Sequence, residues 1–201
     1  MLKPGVTLYF VRHGETDWNR LQRYQGQQDI PLNETGREQA RRNGAVLREM
    51  LGADPGTAIA SLDFVASPLL RARETMEIIR AELGLAPSDY RQEPRLSEIK
   101  YGHWEGQLWS ELPVTDPEGF KARQANFWGW QPRDGESYAM LSDRVSGWLG
   151  DVDRPGVVVA HGGVMRVLRG LVECLAPEAI QALPVPQDKV LILEQDTARW
   201  L

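Results

Sequence analysis

The feature that most constrains this chain is an unbroken apolar run, Gly156–Ala160 (GVVVA), which is followed directly by a histidine and two glycines. Uninterrupted apolar residues predict a strand that is buried on both faces, as strands are in a parallel sheet covered by helices. Residues 6–11 (VTLYFV) and 64–66 (FVA) form two similar runs. Segments with helical spacing of apolar residues lie between these runs, so the chain alternates strand and helix, which is typical of α/β proteins.

The remaining predicted elements are helices over residues 35–51, 69–83, 137–149 and 163–175, and a last strand over residues 190–193. We therefore predict an α/β fold, a three-layer sandwich of a mostly parallel sheet with helices on both faces. The length of 201 residues corresponds to roughly one domain. Residues 107–135, with three prolines and several aromatic residues, are interpreted as an insertion in that domain.

Composition narrows the partners that can be expected. The net charge is −5, which makes nucleic acid an unlikely partner but leaves room for a few arginines that bind a small anion. No run of about 18 apolar residues indicates a membrane span. The one cysteine, Cys174, excludes an internal disulfide and fits a reducing, cytoplasmic setting, and its apolar helical context predicts a core residue. The sequence gives no indication of an oligomeric state.

Two histidines close predicted strands, His13 after the first and His161 after the GVVVA run, and each is followed by glycine. Ligands of open α/β sheets bind beyond the carboxyl ends of the strands. A third strand end leads into a loop that carries Arg71. Arginine binds pairs of phosphate oxygens, neutral imidazole can attack phosphorus, and a helix N-terminus favours an anion. These residue types predict a site for a phosphoryl group.

Five motifs occur in a fixed order along residues 8–170: RHGETDWN from position 12, LNETG from 32, SPLLRA from 67, LSE from 96 with WEG from 104, and HGGVMR from 161. Together they resemble the signature motifs of the histidine phosphatase superfamily, the phosphoglycerate-mutase-like enzymes. A lone RHG triplet would be weak evidence, whereas all five motifs in order are specific.

The resemblance implies a role for each matching residue. His13 would be the nucleophile that forms a phosphohistidine, and Glu98 would first protonate the leaving oxygen and then activate water. Arg12, Arg71 and His161 would be catalytic by holding the phosphoryl oxygens. The substrate-binding residues would be Arg12, Asn19, Gln25, Gly26, Arg71 and the Gly162 amide.

The chemistry of phosphoryl transfer agrees with these roles. Fixed cations stabilise the charge on the equatorial oxygens, so two arginines and a protonated His161 are expected to suffice without a metal or other cofactor. A backbone carbonyl that accepts from the nucleophilic imidazole would fix its tautomer. Glu105 is the competing acid and Glu15 a weaker one, while His103 is interpreted as a loop residue.

The sequence therefore predicts a metal-independent phosphomonoesterase that hydrolyses a small phosphorylated metabolite. Two alternatives remain open: a cofactor-dependent phosphoglycerate mutase, and a non-catalytic module that binds a phosphorylated ligand. Residues 125–130 (ANFWGW) are aromatic where the mutases are basic, and the chain extends only a few residues past the last predicted strand, which favours the phosphatase. The tryptophans of residues 104–130 would form either a small satellite core or an aromatic roof over the site.

Overall fold

Six strands form one mixed sheet in the computed structural model, which describes residues 2–52 and 59–201. In chain order they are β1 (Leu8–Arg12), β2 (Asp63–Ala66), β3 (Arg91–Gln92), β4 (Gly156–Ala160), β5 (Val190–Glu194) and β6 (Thr197–Trp200). The order across the sheet is β3-β2-β4-β1-β5-β6, so the GVVVA strand is internal, with β2 on one side and β1 on the other.

The register of β1 and β4 determines where the site forms. The two strands are parallel, with Leu8 opposite Gly156 and Arg12 opposite Ala160. Strand β2 is parallel to β4 on its other side. Since parallel strands end at the same edge of a sheet, the residues that follow these three strands emerge side by side. Strand β5 is antiparallel to β1, and β6 to β5, which makes the sheet mostly rather than entirely parallel.

Helices cover both faces of the sheet, and the predicted three-layer α/β fold is confirmed. The helices within the described ranges are α1 (Asp17–Arg20), α2 (Glu34–Gly52), α3 (Leu70–Glu82), α4 (Leu112–Thr115), α5 (Pro117–Ala125), α6 (Tyr138–Asp151), α7 (Gly162–Val172) and α8 (Pro177–Gln181). Successive side chains of β4 point to opposite faces of the sheet, so the core has two layers. Val157 and Val159 pack with α2 and α3 on one face, whereas Val158 packs with α6 and α7 on the other. No helix in the described part of the chain has both the length and the apolar character needed to cross a membrane.

The end of α7 corrects one prediction. The helix stops at Val172 rather than continuing to residue 175, and Cys174 adopts a left-handed backbone conformation with φ of 53°. Cys174 is exposed, so the prediction that it is a core residue is wrong. The apolar residues around Cys174 in the sequence predicted that it would lie on the buried face of a helix, but the helix ends two residues before Cys174.

The sequence also missed short elements. Strand β6 and helices α4 and α5 have no apolar run or periodicity long enough to detect. Helix α5 is capped by Asp116, whose carboxylate accepts from the Gly119 N–H.

In the tryptophan-rich segment, Trp104 is fully buried and its ring packs on that of Trp130, with centroids 4.3 Å apart, whereas Trp109 is 40% exposed. Phe127 and Trp128 pack against the core that includes α6 and α7, so the segment does not form one separate core. Phe127 packs on Tyr138, at 4.2 Å between centroids.

Leu47 and Val46 on α2 provide a matched test of this layering. Leu47 is fully buried between α2 and the sheet, whereas Val46 is 39% exposed. We expect Leu47→Ala to lower the free energy of unfolding by about 2–5 kcal/mol, because it leaves a cavity in the core. Val46→Ala should change it by no more than about 0.5 kcal/mol. Urea unfolding of both variants measures the difference, and equal effects would contradict the packing of α2.

Candidate active site

The two histidines after β1 and β4 lie side by side, with ring centroids 5.1 Å apart. The His13 N–H donates to the Ala160 carbonyl at 2.9 Å, which extends the β1–β4 ladder by one residue. Both side chains are buried, His13 at 2% exposure and His161 at 0%. The strand register thus brings together the two imidazoles that the sequence places 148 positions apart.

The contacts of His13 determine which ring nitrogen carries the proton. A guanidinium can only donate, and Arg71 Nε lies 3.3 Å from His13 Nε2, so Nε2 is the acceptor. Nδ1 then carries the proton and donates to the Gly14 carbonyl at 2.7 Å. A backbone carbonyl therefore contacts the ring as the sequence analysis expected. The lone pair is on Nε2, beside Arg71.

Burial and nearby cations favour the neutral form of both imidazoles. Burial, followed by the charges of Arg71 and Arg12, lowers the pKa of His13 well below 6.5. Burial and Arg71 do the same to the pKa of His161. A further cation beside two buried arginines is unfavourable without a compensating anion. The expectation of a protonated His161 concerned the site with a phosphoryl group bound, and it stays a prediction.

His161 can nevertheless donate a hydrogen bond as a neutral ring. Its Nε2 lies 2.7 Å from Ser67 Oγ, which already accepts from the Leu69 N–H. A hydroxyl can both donate and accept, so this contact is compatible with the proton on either ring nitrogen of His161. Within the described residues, Nδ1 of His161 is buried and has no hydrogen-bond partner.

The two arginines are held by backbone carbonyls. Arg71, in the first turn of α3, donates from Nη1 to Gln28 O at 2.7 Å and from Nη2 to Gly26 O at 2.8 Å. Burial lowers the pKa of Arg71 to about 10, so it remains charged at neutral pH. Arg12 donates from Nη1 to Val185 O at 2.6 Å, whereas its Nε is buried and unpartnered in the described structure.

Among the candidate acids, only Glu98 lines the cavity. Its carboxylate accepts from the Gly163 N–H at the start of α7 at 3.1 and 3.2 Å, one bond to each oxygen. The absence of a side chain at Gly163 is required for this contact, since a Cβ there would collide with Glu98 Oε1. Glu105 instead accepts from the Gln27 and Tyr101 N–H groups and from Gln28 Nε2. Those bonds fix Glu105 outside the cavity.

The amide side chains are oriented through Thr16. Asn19 Oδ1 accepts from the Thr16 N–H at 3.2 Å, as part of a capping box that begins α1. The Thr16 hydroxyl lies 3.0 Å from Gln25 Oε1. With both oxygens turned toward Thr16, the amino groups of Asn19 and Gln25 are the ends available to a ligand.

These side chains surround a cavity of about 150 Å³. Of the predicted site residues, Arg12, His13, Asn19, Gln25, Gly26, Arg71, Glu98 and Gly162 line it. His161 is not among the lining residues, although its ring packs beside that of His13. The lining residues that the sequence analysis did not assign are Arg23, Tyr24, Tyr101, Gly163, Arg166 and Val185. Arg166 belongs to the quoted HGGVMR motif and could have been found there, whereas Val185 belongs to none of the five motifs.

His103 is not among the residues that line this cavity. Its Nε2 lies 3.0 Å from Asp116 Oδ2. Residues 2–52 and 59–201 contain no group of three or more histidine, cysteine, aspartate and glutamate side chains placed to hold a metal ion.

The fold and the site define an α/β protein with a small cationic pocket at the carboxyl ends of parallel strands and a neutral imidazole in that pocket. The chain belongs to the histidine phosphatase superfamily (branch 1), whose family profile matches residues 8–201.

Characterised relatives include both phosphatases and mutase-like proteins. The chain is 34% identical to phosphoserine phosphatase 1 of Hydrogenobacter thermophilus over 174 residues, which cover 81% of this chain and 74% of that protein. It is 36% identical to phosphoglycerate mutase-like protein 4 of Arabidopsis thaliana, over 79% of this chain and 67% of the relative. The mycobacterial glucosyl-3-phosphoglycerate phosphatase, solved as a complex with VO3, superposes with a TM-score of 0.74 at 29% identity, covering 98% of this chain and 97% of that one.

The lowered histidine pKa values make stability depend on pH. Each of the two imidazoles is neutral when folded and takes up a proton on unfolding once the pH is below about 6.5. Stability is therefore fully present above that pH and declines as the pH falls toward the folded pKa, by about 1.4 kcal/mol per pH unit for each histidine. Urea unfolding between pH 7.5 and 5 in phosphate-free buffer measures this decline. We expect a shallower decline in His13→Asn, and an unchanged slope would contradict the buried neutral state.

Proposed function

We propose that this protein is a metal-independent phosphomonoesterase that hydrolyses a small phosphorylated metabolite through a phosphohistidine on His13. The observation that carries the proposal is that Arg12 Nε, a buried donor, and the buried Nδ1 of His161 have no hydrogen-bond partner in the described structure. A buried unsatisfied donor costs about 1–3 kcal/mol, and an anionic oxygen within reach of Arg12 Nε would satisfy it. Arg12 and His13 line the same cavity, which supports a phosphoryl group as the ligand.

In the first step, the Nε2 lone pair of His13 attacks phosphorus. The N–P bond forms while the bond from phosphorus to the ester oxygen breaks, and the electron pair of that bond goes to the leaving oxygen. Arg71 Nε, which donates to His13 Nε2, becomes free to donate to a phosphoryl oxygen once that lone pair forms the N–P bond. The Nδ1–H bond to Gly14 O holds the ring as positive charge develops on it.

Glu98 acts on both sides of this intermediate. Protonated Glu98 gives its proton to the leaving oxygen, so that an alcohol departs rather than an alkoxide. The resulting carboxylate then takes a proton from water, whose oxygen attacks phosphorus as the N–P bond breaks and its electrons return to Nε2. Phosphate is released, and both His13 and Glu98 regain their starting states.

Stabilisation of the transferred group comes from positive charge that is already in place. Arg12 and Arg71 are positioned by the carbonyls of Val185, Gln28 and Gly26 before any ligand binds. Preorganised donors of this kind need no rearrangement as charge develops on the phosphoryl oxygens. Two fixed guanidiniums support a reaction that does not depend on a divalent ion.

The size of the pocket supports a small substrate. A cavity of about 150 Å³ is below the 300–1,000 Å³ that ligand sites commonly have, so little beyond a phosphoryl group and a compact organic group fits. Phosphoserine, the substrate class in the name of one relative, is of this size. Arg23 and Arg166 also line the cavity, so the preference for hydrolysis over return of the phosphoryl group to a sugar acid is tested by the comparison of rates given below.

His13→Ala tests the nucleophile. We expect turnover of aryl and sugar phosphates to be lost while the far-ultraviolet circular dichroism spectrum is unchanged. Wild-type enzyme quenched during turnover of ³²P-labelled substrate should carry acid-labile, base-stable label, and the variant should carry none. Added chelator should leave wild-type activity unaffected. Wild-type turnover by the variant, or 3- to 2-phosphoglycerate interconversion much faster than phosphate release, would overturn the proposal.

Glu98→Gln tests the acid. Hydrolysis of alkyl phosphates should fall by about 10²–10⁴, because an alkoxide leaves poorly without a proton. Hydrolysis of p-nitrophenyl phosphate should fall far less, since nitrophenolate leaves without help. The matched variant Glu105→Gln should change both rates by the same factor. A differential loss in Glu105→Gln, with equal losses in Glu98→Gln, would assign the acid role to Glu105.

A further inference from the structure

We infer that Gln187, which lies outside the five motifs and the cavity lining, is a positioning residue that fixes the Asn19 amide and the His13 backbone for phosphoryl binding. The inference rests on the proposed function, because it concerns the same pocket. Gln187 belongs to the segment between α8 and β5, and residues Leu183 to Gln187 of this segment pass beside the site.

Four groups of the pocket, three side chains and one backbone carbonyl, hold this segment. Arg166 Nε donates to Leu183 O at 3.1 Å, and Arg12 Nη1 donates to Val185 O. Gln187 Nε2 donates to both His13 O and Asn19 Oδ1, each at 3.1 Å. The segment is therefore part of the wall of the active site, although it is more than 160 residues from the first histidine motif.

Hydrogen-bond logic fixes the orientation of both amides. The Thr16 N–H can only donate, so the end of Asn19 that faces it is the oxygen. Gln187 then faces two acceptors, Asn19 Oδ1 and the His13 carbonyl, so the end that it presents is its amino group. Each of its two amide protons has one acceptor. No other assignment satisfies all of these contacts.

Gln187 affects ligand binding through the orientation of the Asn19 amide. With Oδ1 held by Thr16 on one side and Gln187 on another, the Asn19 amino group is the end left to face a phosphoryl oxygen. The second bond restrains the carbonyl of the nucleophile's own residue. Gln187 is itself anchored from α2, since Asn43 Nδ2 donates to Gln187 O at 3.0 Å and Asn43 is 2% exposed.

Gln187→Met tests this role, because methionine keeps the length of the side chain and removes both donors. We expect kcat/KM for p-nitrophenyl phosphate to fall about tenfold and the inhibition constant of inorganic phosphate to rise about 3- to 10-fold, in line with the loss of one or two neutral hydrogen bonds. Gln181→Met, an exposed glutamine on α8, is the matched control and should behave as wild type. Phosphate affinity measured by calorimetry is independent of turnover, so it separates this inference from the assignment of the reaction.

A double-mutant cycle with Asn19→Ala distinguishes positioning from a general structural effect. If Gln187 acts on phosphate through Asn19, Gln187→Met should change the phosphate inhibition constant by less than twofold in the Asn19→Ala background. Equal effects in both backgrounds, or a Gln187→Met variant with wild-type phosphate affinity, would overturn the inference. If the methionine variant does not fold, Gln187→Leu, which is uncharged and also lacks both donors, replaces it; the same rise in the phosphate inhibition constant supports the inference and no rise refutes it.

Discussion

The pairing of β1 with β4 is the constraint on which the rest of the site depends. Because Arg12 lies opposite Ala160, the residues that follow the two strands meet at one edge of the sheet. A slip of one residue would turn the strand side chains to the opposite faces. Val157 and Val158 would then change layers, so the same packing that stabilises the core also fixes the separation of the two histidines.

The cost of this arrangement is the burial of cations. Guanidinium groups lose hydration in the pocket, and the structure offsets this loss with backbone carbonyls rather than with carboxylates. Arg71 binds two such carbonyls and Arg12 binds one. A carboxylate partner would neutralise the charge that an anionic ligand needs, whereas a carbonyl satisfies the donors and leaves the positive charge in place. Glu98, the carboxylate that does line the cavity, is bonded to backbone N–H groups.

Sequence reasoning succeeded where a residue's neighbours in sequence decide its environment. Val157 to Val159 form an internal strand because their apolar character requires two covered faces, and the motifs around His13 and His161 follow from the ends of such strands. Sequence reasoning failed where residues distant in sequence determine a residue's environment. Cys174 is exposed because α7 ends early, and Gln187 touches Asn19 only because the chain returns across the site. Those contacts depend on the path of the chain, for which local composition gives no signal.

The exposed position of Cys174 has a practical consequence. It is the only cysteine in the chain, so a maleimide reagent has one thiol to modify. It lies just past the end of the 11-residue helix α7, whose opposite end contributes Gly162 and Gly163 to the pocket. At 1.5 Å per residue, a fluorophore attached there would be about 16 Å from the phosphoryl site along a rigid element. The protein thus carries a natural attachment point for an optical probe, close enough for energy transfer from a labelled ligand and remote from the reacting atoms.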